Sequence, residues 1–174
     1  MISYHVGQTY VNQVAQQRET YYEPGVVVPF AIFDGTNVVW EANPNAYEDV
    51  YTEAFTIART VTPLFNISIA DPVTSETQAS FELELVPTDT LPDDELCAFV
   101  AICEDSLPGA YTTFMHLCRD LQEIHLSIVY PDTLNEPVVF SHAIEPQRLS
   151  AVVFVQDVDT KEILQSAMTR FQEE

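Results

Sequence analysis

The chain has 174 residues, 27 acidic against 6 basic, and a formal net charge of −21 at pH 7. Its 47% hydrophobic share is enough to bury a core, which separates it from disordered acidic tails. A surface this negative repels phosphate backbones and anionic headgroups. Nucleic-acid binding is therefore excluded as a function class, while a cationic partner, bound cations or a salty habitat all fit.

The imbalance comes as much from missing lysine as from added acid: Lys161 is the single lysine beside five arginines. No apolar run approaches the ~20 residues of a membrane span, so this segment is not expected to insert in a membrane. The first residues, Met1-Ile-Ser-Tyr-His-Val6, lack the basic start, apolar core and cleavage site of a signal peptide. They read as a strand whose upstream chain is cut away, which implies an abrupt start or a fragment of a longer protein.

Residues 2–6 alternate apolar and polar, as a short strand does. Residues 8–22 carry Val11, Val14, Ala15 and Arg18 at helical spacing and are stopped by Glu23-Pro24-Gly25. A strand follows, opened by Pro29 and closed by the Asp34-Gly35 turn, then a second strand over 37–41 that contains Trp40. Asn43 is placed to cap a helix over 46–59, with Pro44 in its first turn and an apolar face of Tyr47, Val50, Tyr51, Ala54, Phe55 and Ala58. At Thr60-Val-Thr-Pro63 the period changes from helical to alternating, which sets an expected domain boundary, 1–62 and 63–174.

The rest reads as short strands over 64–70, 79–86, 96–104, 115–120 with an extension toward 130, 138–144 and 149–156. The breaks are rich in Pro and Asp: Asp71-Pro72, Pro92-Asp-Asp94, Leu107-Pro-Gly109, Tyr130-Pro-Asp132 and Asn135-Glu-Pro137. Residues 159–171 fit either a short helix or an extended edge. The fold class is α+β. Helix, strand, turn, strand and helix in that order form the back half of a thioredoxin fold, a partial thioredoxin-like α/β half. An Ig-like antiparallel β-sandwich follows it, without the Cys…Trp…Cys core of antibody domains.

Cys97 and Cys103 share one apolar run and one strand face about 20 Å apart, too far to bridge each other. Cys118 lies on another expected strand, within reach of one of them across a sheet; buried free thiols are the default reading. His116 and Cys118, at i and i+2, face one side of a strand, with His125 in the same expected hairpin. Such spacing can serve a metal, but no second Cys or His pair stands at ligand spacing, so a packing role is favoured and no metal ligand is assigned. Arg119 and Asp120 read as a surface or turn ion pair. Asp93-Asp94-Glu95 and Asp157-x-Asp159 are oxygen-rich turns without the EF-hand pattern; solvated turns or weak cation binding fit them. Glu104 and Asp105, adjacent on a strand, point to opposite faces and do not form an acid–base pair. Nucleophile-elbow, zinc-protease, P-loop and dinucleotide motifs are missing from the sequence. The expectation is no enzyme and no cofactor.

Tyr4-His5-Val6, Arg18 ahead of Tyr21-Tyr22, Val28-Pro29 and Phe33-Asp34-Gly35 are similar to a bacterial surface and outer-membrane protein family. In that family a thioredoxin-like domain precedes an Ig-like sandwich. Later segments follow the same order: Val100-Ala-Ile-Cys-Glu-Asp105, His116-Leu-Cys-Arg-Asp120, and Val153-Phe-Val-Gln-Asp157 followed by Thr160-Lys-Glu-Ile-Leu-Gln165. The resemblance covers nearly the whole chain and implies an exported protein, at the cell surface or in the periplasm, without defined catalytic activity. The Cys-x-x-Cys of a redox thioredoxin is missing. Val28-Pro29 match the cis-proline position, so the resemblance implies a peptide-docking edge at Val28 and Pro29; the plainer reading is a turn that starts a strand.

The expected function is a non-catalytic binding or assembly module that presents surfaces to a protein partner or to itself, as a homodimer. A half-domain with an open sheet edge is marginal alone and recruits strands. Two alternatives come from other classes: a fragment of a thiol-disulfide oxidoreductase whose Cys pair lies upstream, and a cation-dependent acidic adhesin.

Overall fold

The structure, a computed structural model, describes residues 2, 4, 10–22, 31–109 and 113–173. Among the described residues it is a mixed α+β fold, with two α-helices and mostly antiparallel strands in several sheets. In chain order the elements are α1 (Gln13–Tyr22), β1 (Ala31–Phe33), β2 (Asn37–Val39), α2 (Tyr47–Ala58), β3 (Phe65–Thr74), β4 (Gln78–Pro87) and β5 (Leu96–Glu104). There follow β6 (Leu107–Pro108), β7 (Thr113–Phe114), β8 (Leu117–His125), β9 (Leu134–Ser141), β10 (Leu149–Asp157), β11 (Ile163–Arg170) and β12 (Gln172–Glu173).

Two four-stranded sheets carry most of the strand residues, one in the order β11-β10-β5-β8 and the other β12-β3-β4-β9. They share one core. Ala98, Val100 and Ile102 of β5 and Leu149, Ala151, Val153 and Val155 of β10 come from one sheet; Phe65, Phe81, Leu83, Leu85, Val138 and Phe140 come from the other. The second sheet alternates cleanly, with Phe81, Leu83 and Leu85 inward and Glu82 and Glu84 in water. The first sheet does not alternate. β5 is buried along its length except at Glu104, and β10 is buried throughout. A continuous apolar run of this kind signals a strand covered on both faces. The second cover is α1: Cys97, Phe99, Ala101, Cys103, Cys118, Val152 and Phe154 form a separate cluster, against which Ile2, Tyr4 and Val14 pack.

α1 is capped by Asn12, whose Oδ1 accepts from the Ala15 N–H (2.8 Å) while its Nδ2 donates to the Cys118 carbonyl (2.7 Å). That one side chain both starts the helix and ties it to β8. Asn43 caps the short 3-10 turn Pro44–Ala46 that leads into α2, its Oδ1 accepting from the Asn45 N–H (3.1 Å) with Pro44 in that turn. α2 itself starts at Tyr47 after Ala46, which makes no side-chain cap, so the expected cap serves the lead-in turn and not the helix. α2 packs on the β1–β2 hairpin, where Phe33 and Tyr51 lie 6.4 Å apart between ring centroids and Val39 and Ala54 are buried. The hairpin turn has left-handed backbone at both Asp34 (φ 48°) and Gly35 (φ 76°), as tight hairpins demand.

Several expectations are corrected. Asp71-Pro72 is a bulge inside β3, not a break: the register shifts between Ala70 and Val73, and Asp71 takes positive φ (50°). Asn135-Glu-Pro137 lies within β9. That strand is the edge of its sheet, where a missing N–H costs no ladder bond. The strand expected over 115–120 with an extension toward 130 runs from Leu117 to His125. Of the two readings left open for 159–171, the structure has the extended edge: residues 163–170 are an edge strand that pairs antiparallel with the buried β10. The helix expected from residue 8 starts at Gln13. Ile2 and Tyr4 are not in a strand and pack instead on the α1 side of the first sheet, and most of the expected 2–6 strand lies outside the described residues.

Candidate functional site

Arg18 lies between α1 and the first sheet. It is 5% exposed, and its guanidinium carbon sits 4.5 Å from the Tyr21 ring centroid, 4.7 Å from Tyr22, 5.1 Å from Phe99 and 5.7 Å from Phe154. Nη2 donates to Tyr22 OH (2.6 Å) and to Gln156 Oε1 (3.1 Å), while Nε has no hydrogen-bond partner among the described residues. In a chain so rich in acid, this buried cation has no carboxylate within salt-bridge distance among the described residues. The four rings supply the negative face that a carboxylate would otherwise provide. Gln156, itself fully buried, passes the network on: Nε2 donates to Tyr22 OH (3.1 Å) and to the Lys161 carbonyl (2.6 Å). Lys161 Nζ returns to the Tyr21 carbonyl (2.6 Å). The sequence placed Arg18 on the apolar face of its helix, but gave no sign of the cage.

The three cysteines are free and buried. Cys103 and Cys118 stand opposite each other across β5 and β8. A hydrogen bond with Cys118, then burial, push the Cys103 thiol up. Burial also pushes the Tyr4 phenol up, helped by Cys118 and opposed by Arg18.

His116, Cys118 and His125 do not meet as a group. His116 turns away in left-handed backbone (φ 51°), with its Nδ1 3.0 Å from Asp105 Oδ1. Cys118 Sγ donates to the Asp120 carbonyl (3.3 Å). Arg119 pairs with Glu104, Nη2 to Oε2 2.7 Å, and not with Asp120. His125 instead lies across from Cys97, with Nδ1 3.3 Å from Sγ and 3.4 Å from Glu95 Oε1. Burial, then Glu123 and Glu95, push the Cys97 thiol up to about 11. Sequence spacing could not reveal this trio, because a β5–β8 register joins residues 28 apart.

The two oxygen-rich turns converge: loss of solvent, then Asp157 and Asp159, raise the Asp94 carboxyl. Burial pushes Asp157 up, but hydrogen bonds from Thr160 and Asp159 outweigh it and hold the carboxyl below its usual range. Asp157 Oδ1 accepts from the backbone N–H of Asp159 and of Thr160, each at 2.9 Å. The turn is thus closed by its own backbone.

The unit of β1, β2 and α2 differs from the rest in what it leaves in water. Val38 (49%), Trp40 (49%), Phe55 (52%), Ile57 (55%) and Val61 (52%) are all about half exposed within 24 residues. On α2, Glu48, Asp49, Thr52, Glu53, Thr56 and Ile57 line a shallow groove. Val28 and Pro29, where a peptide edge was expected, lie outside the described residues.

No protein-family model matches the sequence, and no curated protein is detectably similar to it. Solved structures are similar in fold. HBP35 of Porphyromonas gingivalis superposes with a TM-score of 0.70 at 10% identity, over 93% of this chain and 59% of that one. Protein AGR_C_4864 of Agrobacterium tumefaciens superposes with a TM-score of 0.65 at 15% identity, over 98% of this chain and 77% of that one. The chain thus spans a little under three fifths of the length of HBP35 and shares its antiparallel, β-rich fold.

Proposed function

We propose that this chain is a non-catalytic binding module of an exported or surface protein, built as a partial thioredoxin-like half (1–62) and an Ig-like sandwich (63–174). Its docking surface is the β1–β2–α2 unit, and its occupant is a protein segment that is basic and apolar. The observation that carries this reading is the exposed apolar set on a small unit that buries little of its own: Val39 and Ala54 are its buried core. The exposed Trp40 is the residue type that anchors interfaces, and Val38 beside it and Ile57 on the helix add exposed apolar area; Phe55, two residues before Ile57, faces another side of α2. Charge selects the partner. The α2 groove is lined by Glu48, Asp49 and Glu53 along the helix with Ile57 at its C-terminal end, so a cationic segment is attracted and a second acidic copy is repelled.

Self-association, the homodimer expected from the sequence, therefore has an electrostatic cost that salt relieves. At low ionic strength the isolated chain is expected to have the mass of one copy. Trp40, the chain's single tryptophan, should then remain open to a neutral quencher. Light scattering coupled to gel filtration, with acrylamide quenching of the same fractions, checks both. A twofold mass with Trp40 shielded at low salt would assign the surface to a second copy and overturn the cationic partner.

A further inference from the structure

We propose that Glu95, Cys97 and His125 form a surface site for a single zinc-type divalent ion, with at least one coordination position open to solvent. The donor atoms Sγ of Cys97, Nδ1 of His125 and one carboxylate oxygen of Glu95 all lie within 4.8 Å of one another. Two of the three edges are 3.3 and 3.4 Å. For bonds of about 2.3 Å to sulfur and 2.0–2.1 Å to nitrogen and oxygen, tetrahedral ligands stand roughly 3.3–3.6 Å apart. The triangle is already near the face of such a tetrahedron, and the exposed Glu95 side chain can swing to close the third edge.

The donor set is also selective. Thiolate, imidazole and carboxylate together suit zinc and its neighbours in the first transition row and not the all-oxygen calcium or magnesium. Position supports binding from one side. Cys97 is fully buried at the floor, whereas His125 and Glu95 stand above it with side chains 71% and 62% exposed. An ion held there keeps a face toward solvent, where a water or a partner's ligand completes the shell. Glu123, two residues before His125 on the same strand face, adds negative charge. The alternative for the same contacts is a surface His125–Glu95 ion pair lying over a packed thiol. A further arrangement, a Cys–His–acid catalytic triad, does not fit, because Cys97 and Glu95 both approach Nδ1 and neither is served by Nε2.

The test is anaerobic titration of the untagged full chain with cobalt(II), followed by displacement with zinc. The expected result is one equivalent of cobalt with a thiolate-to-cobalt charge-transfer band and tetrahedral ligand-field bands, both lost on adding zinc. His125→Ala and Glu95→Ala change exposed side chains and should leave folding intact. Each should weaken cobalt binding by more than about tenfold, a loss that even changes outside the ligand shell produce. Cys97→Ser should remove the charge-transfer band. A missing thiolate band in the parent chain would overturn the site. So would a band that survives in both His125→Ala and Glu95→Ala at unchanged affinity, because another thiol would then be the ligand.

Discussion

Replacing Arg18 with Ala is expected to lower stability by about 3 kcal/mol, the sum of a cavity and orphaned polar groups. For a chain of this size that is a fall of roughly 6–12 °C in Tm. The side chain fills the space between Phe99, Phe154, Tyr21 and Tyr22, and its Nη2 is a donor to both Tyr22 and the buried Gln156. Two further variants separate the contributions. Arg18→Met keeps most of the volume and removes a buried charge that has no carboxylate partner among the described residues; it should cost less than Ala, since apolar replacement of buried charge is often tolerated. Arg18→Lys keeps the charge but loses the planar group that stacks on rings, and should not rescue fully. Thermal and urea unfolding of the three variants check this order. An Ala variant as stable as the parent would show that the cage does not hold α1 to the sheet.

Gly35→Ala is the second large effect, about 3 kcal/mol, and it acts through backbone rather than side chain. Gly35 has φ 76°, and a Cβ built there falls onto the carbonyl oxygen of Lys161. Next to it the Ile163 N–H donates to the Asp34 carbonyl (2.9 Å), joining the hairpin turn to the turn between β10 and β11. An added methyl group must push these turns apart and break that bond. Left-handed backbone alone costs an alanine about 1–2 kcal/mol, and an asparagine less because it tolerates that region. Gly35→Asn therefore discriminates: if the clash dominates, Asn is as damaging as Ala, and if backbone preference dominates, Asn recovers most of the loss. The packing predicts the first outcome, read by urea unfolding. Recovery by Asn would mean the two turns are not in contact in solution.

Local rules reached some of this and stopped where pairing began. The Asp34-Gly35 turn, the Asn43 cap and the helix after it follow from residue preferences within a few positions, and the structure has them. The unbroken apolar run from Leu96 to Cys103 signalled a strand, and its lack of alternation is explained by α1 on one side and the second sheet on the other. Pro137 and Asp71-Pro72 misled because proline marks a break in an isolated segment, while an edge strand or a bulge accommodates it. The meeting of Cys97 with His125, and of Gly35 with Lys161, depends on strand register and on turns packing across the chain. Neither quantity is encoded in spacing. Arg18 shows the same limit from the other side: its helical position was legible, but its counter-charge is four rings from two distant strands and its own helix.

A basic, apolar protein segment is the occupant proposed for the acidic, apolar surface of β1, β2 and α2. The most direct measurement is a titration of the full chain with a labelled amphipathic lysine–leucine peptide and with its glutamate–leucine counterpart. Fluorescence anisotropy is read for the parent, for Glu53→Lys in the α2 groove and for Glu76→Lys on the exposed turn between β3 and β4. Saturable binding of the lysine peptide alone is predicted, weakened by salt and by Glu53→Lys but not by Glu76→Lys. Equal loss in both variants, binding of both peptides alike, or binding of neither would contradict the account.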